Sequence, residues 1–127
     1  MECGLPQTEV FFFREPKDEA VPLLDWLNEL PFKVQAKCTE RIDRLGELGH
    51  ELRRPEADFL RDGVYELRAS YQGIHYRMLY FFFGKAVVVV SHGLIKEREV
   101  PPKQIDVAVK RKKQVEANFG QYTFKPE

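Results

Sequence analysis

The chain has 127 residues, of which 43% are hydrophobic and 31% are charged, and its formal net charge at pH 7 is zero. These values are typical of one globular domain that buries a core without disulfides or metal, and the neutral charge argues weakly against a general nucleic-acid binder. No apolar run approaches the roughly 18 residues of a membrane span. We therefore predict a single domain over residues 1–127, with flexible tails at 1–9 and 121–127 and no membrane partner.

The distribution of charge shows which half of the chain is basic, and the cysteines indicate the cellular compartment. Residues 1–60 contain 8 Lys/Arg and 13 Asp/Glu, whereas residues 61–127 contain 12 Lys/Arg and 7 Asp/Glu, so the second half is basic. Cys3 and Cys38 give neither a metal-ligand spacing nor a disulfide framework, and Met1–Glu9 lacks the apolar core of a signal peptide. We expect a cytoplasmic protein that needs no metal or other cofactor.

Hydrophobic periodicity predicts the order β-α-α-β-β-β-α. This order indicates an α+β fold in which an antiparallel or mixed sheet carries helices on one face. The expected elements are a strand at Val10–Arg14, a helix from the cap Asp18 to about Leu30, a helix after Pro31 to about Leu48, a loop at Arg53–Gly63, three strands from Val64 to His92, and a helix from Pro101-Pro102 that ends at Gly120. The last residues, Gln121–Glu127, are expected to fray or to dock through Tyr122 and Phe124.

Two predicted two-residue turns, Gln72-Gly73 and Gly84-Lys85, join the three strands, and glycine accepts the positive φ that such turns need. Strict two-residue turns place Arg68 opposite Arg77, and Arg77 opposite His92. A single β-bulge would move one strand's side chains to the other face. The face with the arginines is expected to be apolar at one end and cationic at the other, with Leu79, Phe81, Val88 and Val90 at the first end and His75, Arg68, Arg77 and His92 at the second.

Arginines opposite each other on neighbouring strands destabilise a sheet. Because a guanidinium donates two parallel hydrogen bonds to a phosphate, Arg68 and Arg77 predict an anion site. The alternative is that both are exposed arginines paired with Glu66 or with another acid. Glu66 could itself act as a general base, but orienting an arginine is its favoured role.

Other polar residues lie near this predicted site. Beside Arg77, the neutral form of His92 would be favoured, as a general base requires, although a lone histidine is more often structural. Lys96 and Arg98 follow at the mouth of the same face, and His75 lies near it at a turn. Lys96 and Arg98 could equally be solvated loop charges, whereas His75 is favoured as a functional residue only because it is near the site.

Several other chemistries are not indicated. The sequence has no Gly-rich phosphate loop, no serine nucleophile elbow and no Cys/His metal spacing. Cys38 lies on the apolar stripe of its helix and is assigned to the core. Lys110 and Arg111 belong to a basic run in the last helix that is either a solvated face or a part of the cationic surface.

The motifs in this region resemble a known family. Leu60–Gly63 is followed by VYELR, then by HYRMLYFF, then by a valine strand that leads into SHGLIKE and Val100-Pro101, and Ala108–Arg111 fits an A-x-x-R-like element. Over about Arg54–Phe119, this pattern resembles the HigB-like (phage Gp49-like) branch of the RelE toxin superfamily.

The resemblance implies a RelE-like α+β domain with a sheet of about four strands, two N-terminal helices and a C-terminal helix. It also implies the toxin of a type II toxin–antitoxin pair, a metal-independent endoribonuclease that cuts mRNA on the ribosome and that a helix-turn-helix antitoxin neutralises. Carried onto this sequence, Arg68 and Arg77 match the family's phosphate-contacting arginines, and His92 and Lys96 match its polar residues after the last strand. We expect these four residues to be catalytic, and we expect His75, Arg98, Lys110 and Arg111 to bind RNA.

The sequence departs from the family pattern at two positions. Glu97 replaces the second lysine of a Lys-Lys pair, and Ile95 replaces the aromatic residue that usually precedes that pair. With the neutral net charge, these departures leave open a catalytically weak RelE-fold module that mainly binds a DNA-binding antitoxin or regulator. A third, weaker alternative is a phage-derived structural or regulatory protein without an RNA role.

Overall fold

The computed structural model describes residues 8–96 and 98–126. A mixed sheet of six strands forms the centre, and helices cover both of its faces. The strands are β1 (Glu9–Phe13), β2 (Ala57–Arg61), β3 (Val64–Tyr71), β4 (Ile74–Phe83), β5 (Val87–Ile95) and β6 (Thr123–Phe124), and the helices are α1 (Pro22–Asn28), α2 (Phe32–Leu48), α3 (Pro102–Ala117) and α4 (Phe119–Tyr122). The predictions for Cys3 and the rest of residues 1–7, for Glu97 and for Glu127 concern residues outside those described.

The strand order is β2-β3-β4-β5-β1-β6. β1 lies parallel to β5, with Phe12 opposite Val90, whereas the other neighbouring strands of this sheet are antiparallel. β1 therefore lies inside the sheet, between β5 and the two-residue strand that follows α4.

α1 and α2 pack on one side of the sheet, which we call the first face. The apolar stripe predicted for α2 is buried there, with Cys38 and Leu45 in the same cluster as Leu67 and Tyr80. Burial of a side chain such as Leu45 stabilises the fold by about 1.5–3 kcal/mol. This layer positions α2 beside β3, which matters for the site described below.

α1 begins at Pro22, not at Asp18 as predicted. Proline in the first turn of a helix has a suitable φ and needs no N–H partner. Asp18 Oδ1 instead accepts a hydrogen bond from the N–H of Ala20 at 3.0 Å, in a local turn before the helix. The helix lies close to β5, because Gly93 has no Cβ and the ring of Trp26 packs where one would be.

α3 and α4 pack on the opposite side of the sheet, the second face, so the prediction of helices on one face only is wrong. Ile105 and Ala108 of α3 are buried against Val64 and Leu79, and farther along α3 a second cluster includes Val115. The apolar end of the second face is thus covered by helix. None of the described helices is long and apolar enough to cross a membrane.

The sheet has more strands than the four or so that the sequence predicts. β2 lies within Arg53–Gly63, which was expected to be a loop, because five residues are too few for a clear alternating pattern between two turn signals. β6 has only two residues, which pair with Phe12 and Phe13 of β1. The segment Gln121–Phe124 is therefore docked, the second of the two alternatives that the sequence left open.

The two turns between the long strands differ. The β3–β4 turn has two residues as predicted, with Gln72 at φ 51° and Gly73 at φ 81°. The β4–β5 loop has three residues, Gly84–Ala86, and Phe83 pairs with Val87. The prediction of a two-residue Gly84-Lys85 turn is therefore wrong, because the chain uses one more residue to reverse direction.

A β-bulge at Ser91 shifts the β4–β5 register a second time. Because the loop has one residue more than predicted, the side chains of residues 87–90 lie on the faces opposite to those predicted. The extra residue at the bulge then places His92 on the second face, as predicted. His92 consequently lies opposite Leu79 and not opposite Arg77, so the predicted row of two arginines and a histidine is not formed. Val88 and Val90 were predicted on the second face, but both are buried in the first-face cluster.

Candidate functional site

Arg68 and Arg77 lie directly opposite each other on β3 and β4, as the sequence predicts. Both are on the second face, near the exposed residues Ser70 and His75 at the β3–β4 turn. The side chain of Arg68 is 34% exposed and that of Arg77 is 11% exposed. The structure therefore places a pair of guanidinium groups at the open end of the sheet.

A buried carboxylate lies between these two guanidinium groups. Glu66 Oε2 is 2.9 Å from Arg68 Nη2, and Glu66 Oε1 is 2.5 Å from Arg77 Nη1. Only 3% of Glu66 is exposed. A carboxylate that binds both arginines offsets their mutual repulsion, since charge-assisted hydrogen bonds are among the stronger ones in proteins. The contacts support the orienting role that the sequence favoured for Glu66.

Asp58 on β2 extends the ion pairs toward the edge of the sheet. Its Oδ2 is 3.3 Å from Arg68 Nη2 and 2.9 Å from Arg54 Nη2. The hydrogen bond from Arg54 holds the pKa of the Asp58 carboxyl below its ordinary value, although burial acts in the opposite direction. Sequence reasoning missed Asp58 because β2 was predicted to be a loop, and it is the strand that places Asp58 opposite Glu66.

Arg41 reaches the same region from α2. Its Nε donates to the backbone carbonyl of Arg68 at 3.0 Å. Its Nη1 lies 3.4 Å from Glu56 Oε2, and Arg44 Nε lies 2.9 Å from the same oxygen. No sequence signal indicated Arg41. Its contact with the backbone of Arg68 requires the edge of β3 to be accessible there, and this depends on where β2 begins.

These side chains line a cavity of about 500 Å³, which we call the arginine cavity. Its lining residues are Arg41, Pro55, Glu56, Arg68, Ser70, His75 and Arg77. Arginines outnumber carboxylates by five to four in the surrounding ion pairs, which join Arg41, Arg44, Arg54, Arg68 and Arg77 to Glu40, Glu56, Asp58 and Glu66. Among the described residues, Arg68 Nε is buried without a hydrogen-bond partner. The ion pairs around the cavity thus carry an excess of positive charge.

His92 is not part of the arginine cavity. It is 8% exposed and lies between the bulge residue Ser91 and Gln104 of α3. Because the amide oxygen of Gln104 can only accept, His92 Nε2 donates to Gln104 Oε1 at 2.8 Å. In the neutral ring, Nδ1 then accepts from Ser91 Oγ at 2.8 Å, and Ser91 Oγ in turn accepts from Arg111 Nη1 at 3.2 Å. Burial lowers the pKa of His92 to about 4, and the charge of Arg111 acts in the same direction.

The two basic residues predicted on the last helix have different surroundings. Arg111 is half-buried, with its guanidinium 4.8 Å from the centre of the Phe13 ring, and burial lowers its pKa. Arg111 is therefore a packing residue between α3 and the sheet. Lys110 is exposed on α3, on the solvated surface that the sequence allowed.

The remaining predicted residues lie around the end of β5. His75 lines the arginine cavity, and its Nδ1 is 3.0 Å from Ser70 Oγ. The side chain of Lys96 is exposed, and its backbone carbonyl accepts a hydrogen bond from Arg77 Nε at 3.2 Å. Arg98 is exposed in the bend that follows. Of the predicted residues, Arg68, Arg77 and His75 line the cavity and Lys96 adjoins it.

Residues 25–113 match the family described as phage derived protein Gp49-like (DUF891). This match covers more than half of the chain and includes every residue that lines the arginine cavity. The chain belongs to the Gp49-like family. This family is part of the RelE/HigB-like toxin group, which confirms the resemblance seen in the sequence. Gp49-like proteins are associated with the toxins of toxin–antitoxin systems. A comparison with curated proteins finds no match.

Proposed function

We propose that this Gp49-like protein is the toxin of a toxin–antitoxin pair, that it cleaves mRNA on the ribosome, and that the arginine cavity is its site. The observation that carries the proposal is the pair Arg68 and Arg77, held by one buried carboxylate at the wall of an open cavity. The proposed partners are the ribosome with its mRNA and a cognate antitoxin.

Metal-independent RNA cleavage sets the chemical requirements. The ribose 2′-hydroxyl attacks the adjacent phosphate, so a base must take its proton, cations must stabilise the charge on phosphorus, and an acid must protonate the leaving 5′-oxygen. Preorganised charge stabilisation is often the largest contribution. We assign it to Arg68 and Arg77, because Glu66 fixes both guanidinium groups before any substrate arrives.

The proton transfers need groups that the substrate can reach. Both ring nitrogens of His92 are hydrogen bonded within the protein, so we assign this residue to holding β5 against α3. His75 is the imidazole that lines the cavity, and an imidazole can both accept and donate a proton. We assign proton transfer to His75 and phosphate positioning or leaving-group protonation to Lys96.

Induced expression tests this function. Wild-type protein should arrest growth, and mapping of mRNA 5′ ends should find cuts at fixed positions in the reading frame. Arg77→Gln should lower the cleavage rate by about 10²–10³-fold, as expected for loss of one preorganised donor in the transition state. Arg61→Gln is the matched control, because Arg61 pairs with Asp62 and Asp106 outside the cavity.

Thermal unfolding of both purified variants ensures that loss of cleavage is not loss of fold. Growth arrest without mRNA cuts would rule out the nuclease, and cuts that persist in a folded Arg77→Gln variant would rule out the site.

One observation favours a second function, a binding module with weak or no nuclease activity. The arginines around the cavity are already paired with Glu56, Asp58 and Glu66, and these contacts must weaken when a phosphate binds. Such a module predicts tight binding of the antitoxin together with intact mRNA after induction, even when the protein is shown to be on ribosomes.

A further inference from the structure

Phe59 is an exposed aromatic residue at the edge of the sheet. It lies on β2, the terminal strand, and 54% of the residue is exposed. Its ring meets that of Tyr65 edge to face, with the centroids 5.2 Å apart, and Tyr65 in turn stacks on Tyr80 at 5.3 Å. Since Tyr80 is buried, the exposed ring of Phe59 is held by a fixed aromatic support.

Arginines surround this ring. Phe59 and Tyr65 line a second cavity of about 500 Å³ together with Arg53 and Arg54, and both of these arginines are exposed. The apolar residues beside them, Leu52 and Ala57, are buried. The accessible surface is therefore one phenyl ring among guanidinium groups rather than a broad apolar patch of the kind that binds a protein partner.

The second cavity adjoins the arginine cavity. Asp58 lines the second cavity, binds Arg54 there, and also contacts Arg68 in the wall of the arginine cavity. Phe59 pairs with Tyr65 and lies on the first face, whereas Arg68 is on the second face. A polyanion with a phosphate at Arg68 therefore reaches the Phe59 ring by passing around the edge strand β2, beside Asp58 and Arg54.

We propose that Phe59 stacks on a base of single-stranded RNA, and that a phosphate farther along the same strand occupies the arginine cavity on the other side of β2. Aromatic rings next to a cationic groove bind single strands in this way, since every base has a π-face. Arg53 and Arg54 supply the positive charge beside the ring. The proposal rests on the proposed function in that RNA is the substrate, and it adds a contact that is separate from the cleavage chemistry.

Binding of a fluorescein-labelled single-stranded RNA of mixed sequence, followed by anisotropy at several salt concentrations, tests this. Phe59→Leu should weaken binding by about 5- to 150-fold, as expected for one lost base stack, and should leave the dependence on salt unchanged. Arg77→Gln should reduce the salt dependence, because it removes a phosphate contact. Phe32→Leu is the matched control, since Phe32 is 84% exposed on α2 and does not line either cavity.

Equal affinities of Phe59→Leu and Phe32→Leu for RNA would overturn the proposal, as would a Phe59→Leu defect confined to antitoxin binding. If wild-type protein does not bind the free oligonucleotide, p-benzoylphenylalanine at position 59 or 32 is cross-linked on translating ribosomes. RNA adducts at position 59 but not at position 32 support the stacking of Phe59 on RNA, and the absence of adducts at position 59 refutes it. Binding that depends on Phe59 without any cleavage would contradict the proposed nuclease only, so the two failures are distinguishable.

Discussion

At the scale of single residues, Glu66 decides how two opposite arginines can exist in one sheet. The sequence predicts its position, because alternation along β3 puts Glu66 and Arg68 on one face two residues apart. What alternation could not show is that one carboxylate reaches Arg68 and Arg77 at once. The contribution of Asp58 was missed for a different reason, since its strand was not predicted.

Glu66→Gln should lower the free energy of unfolding by about 3 kcal/mol. Removal of one partner from a buried ion pair typically costs about 3–5 kcal/mol, and the partial exposure of Arg68 places this site at the lower end. Urea unfolding followed by circular dichroism measures the change.

Glu116→Gln is the control for that measurement. Glu116 forms an exposed pair with Lys112 one helical turn away on α3, and such pairs contribute less than about 0.5 kcal/mol. A loss at Glu66 no larger than the loss at Glu116 would mean that the buried carboxylate does not stabilise the arginine pair.

At the scale of elements, β5 is where sequence reasoning succeeded least. Both shifts of its register, the three-residue loop and the bulge at Ser91, are backbone choices that leave no mark in the alternation of apolar residues. Residues 87–90 are all valine, so the pattern is compatible with either face. The two-residue length of the β3–β4 turn was predictable because Gly73 accepts the positive φ that such a turn requires.

Gly93→Ala should destabilise the packing of α1 on β5. The added methyl group would occupy the position of the Trp26 ring, so the helix must move away from the strand, and such overpacking costs about 1–3 kcal/mol. We expect a lower melting temperature in differential scanning calorimetry.

Gly120→Ala provides the comparison for this prediction, because a Cβ at Gly120 contacts nothing within 4 Å. If the two alanine variants melt at the same temperature as the wild type, close approach of Trp26 to the strand is not a constraint on the fold.

At the scale of the whole molecule, the sequence predicted the α+β class, the helix on the first face that carries Cys38, and the hairpin with the arginines. It did not predict that α3 and α4 would cover the second face, nor the short strands β2 and β6. The polar contact between these layers is also new, since His92 was expected beside Arg77 and instead joins β5 to α3.

The stability of the molecule should fall between about pH 6.5 and pH 4 because of His92. Its pKa is about 4 in the folded protein and near 6.5 when unfolded, so the unfolded chain binds the additional proton in this range. The contribution, about 3 kcal/mol, is fully present above pH 6.5 and is lost as the pH falls toward 4.

Urea unfolding as a function of pH checks this prediction. His92→Gln should be less stable than the wild type at pH 7, and the difference between the two should shrink toward pH 4. A constant difference between wild type and His92→Gln would contradict a neutral, buried imidazole.

β1 cannot pair until much later parts of the chain exist, because its neighbours are β5 and β6. During synthesis, the segment EVFFF emerges first and keeps its three phenylalanines without a strand partner. The antiparallel strands β3 to β5 are joined by short connections and can form locally. Unpaired apolar strands make partly folded chains prone to aggregation. The nascent chain is therefore most prone to aggregation between the synthesis of β1 and that of β5. Pairing of β1 with β5 ends this interval.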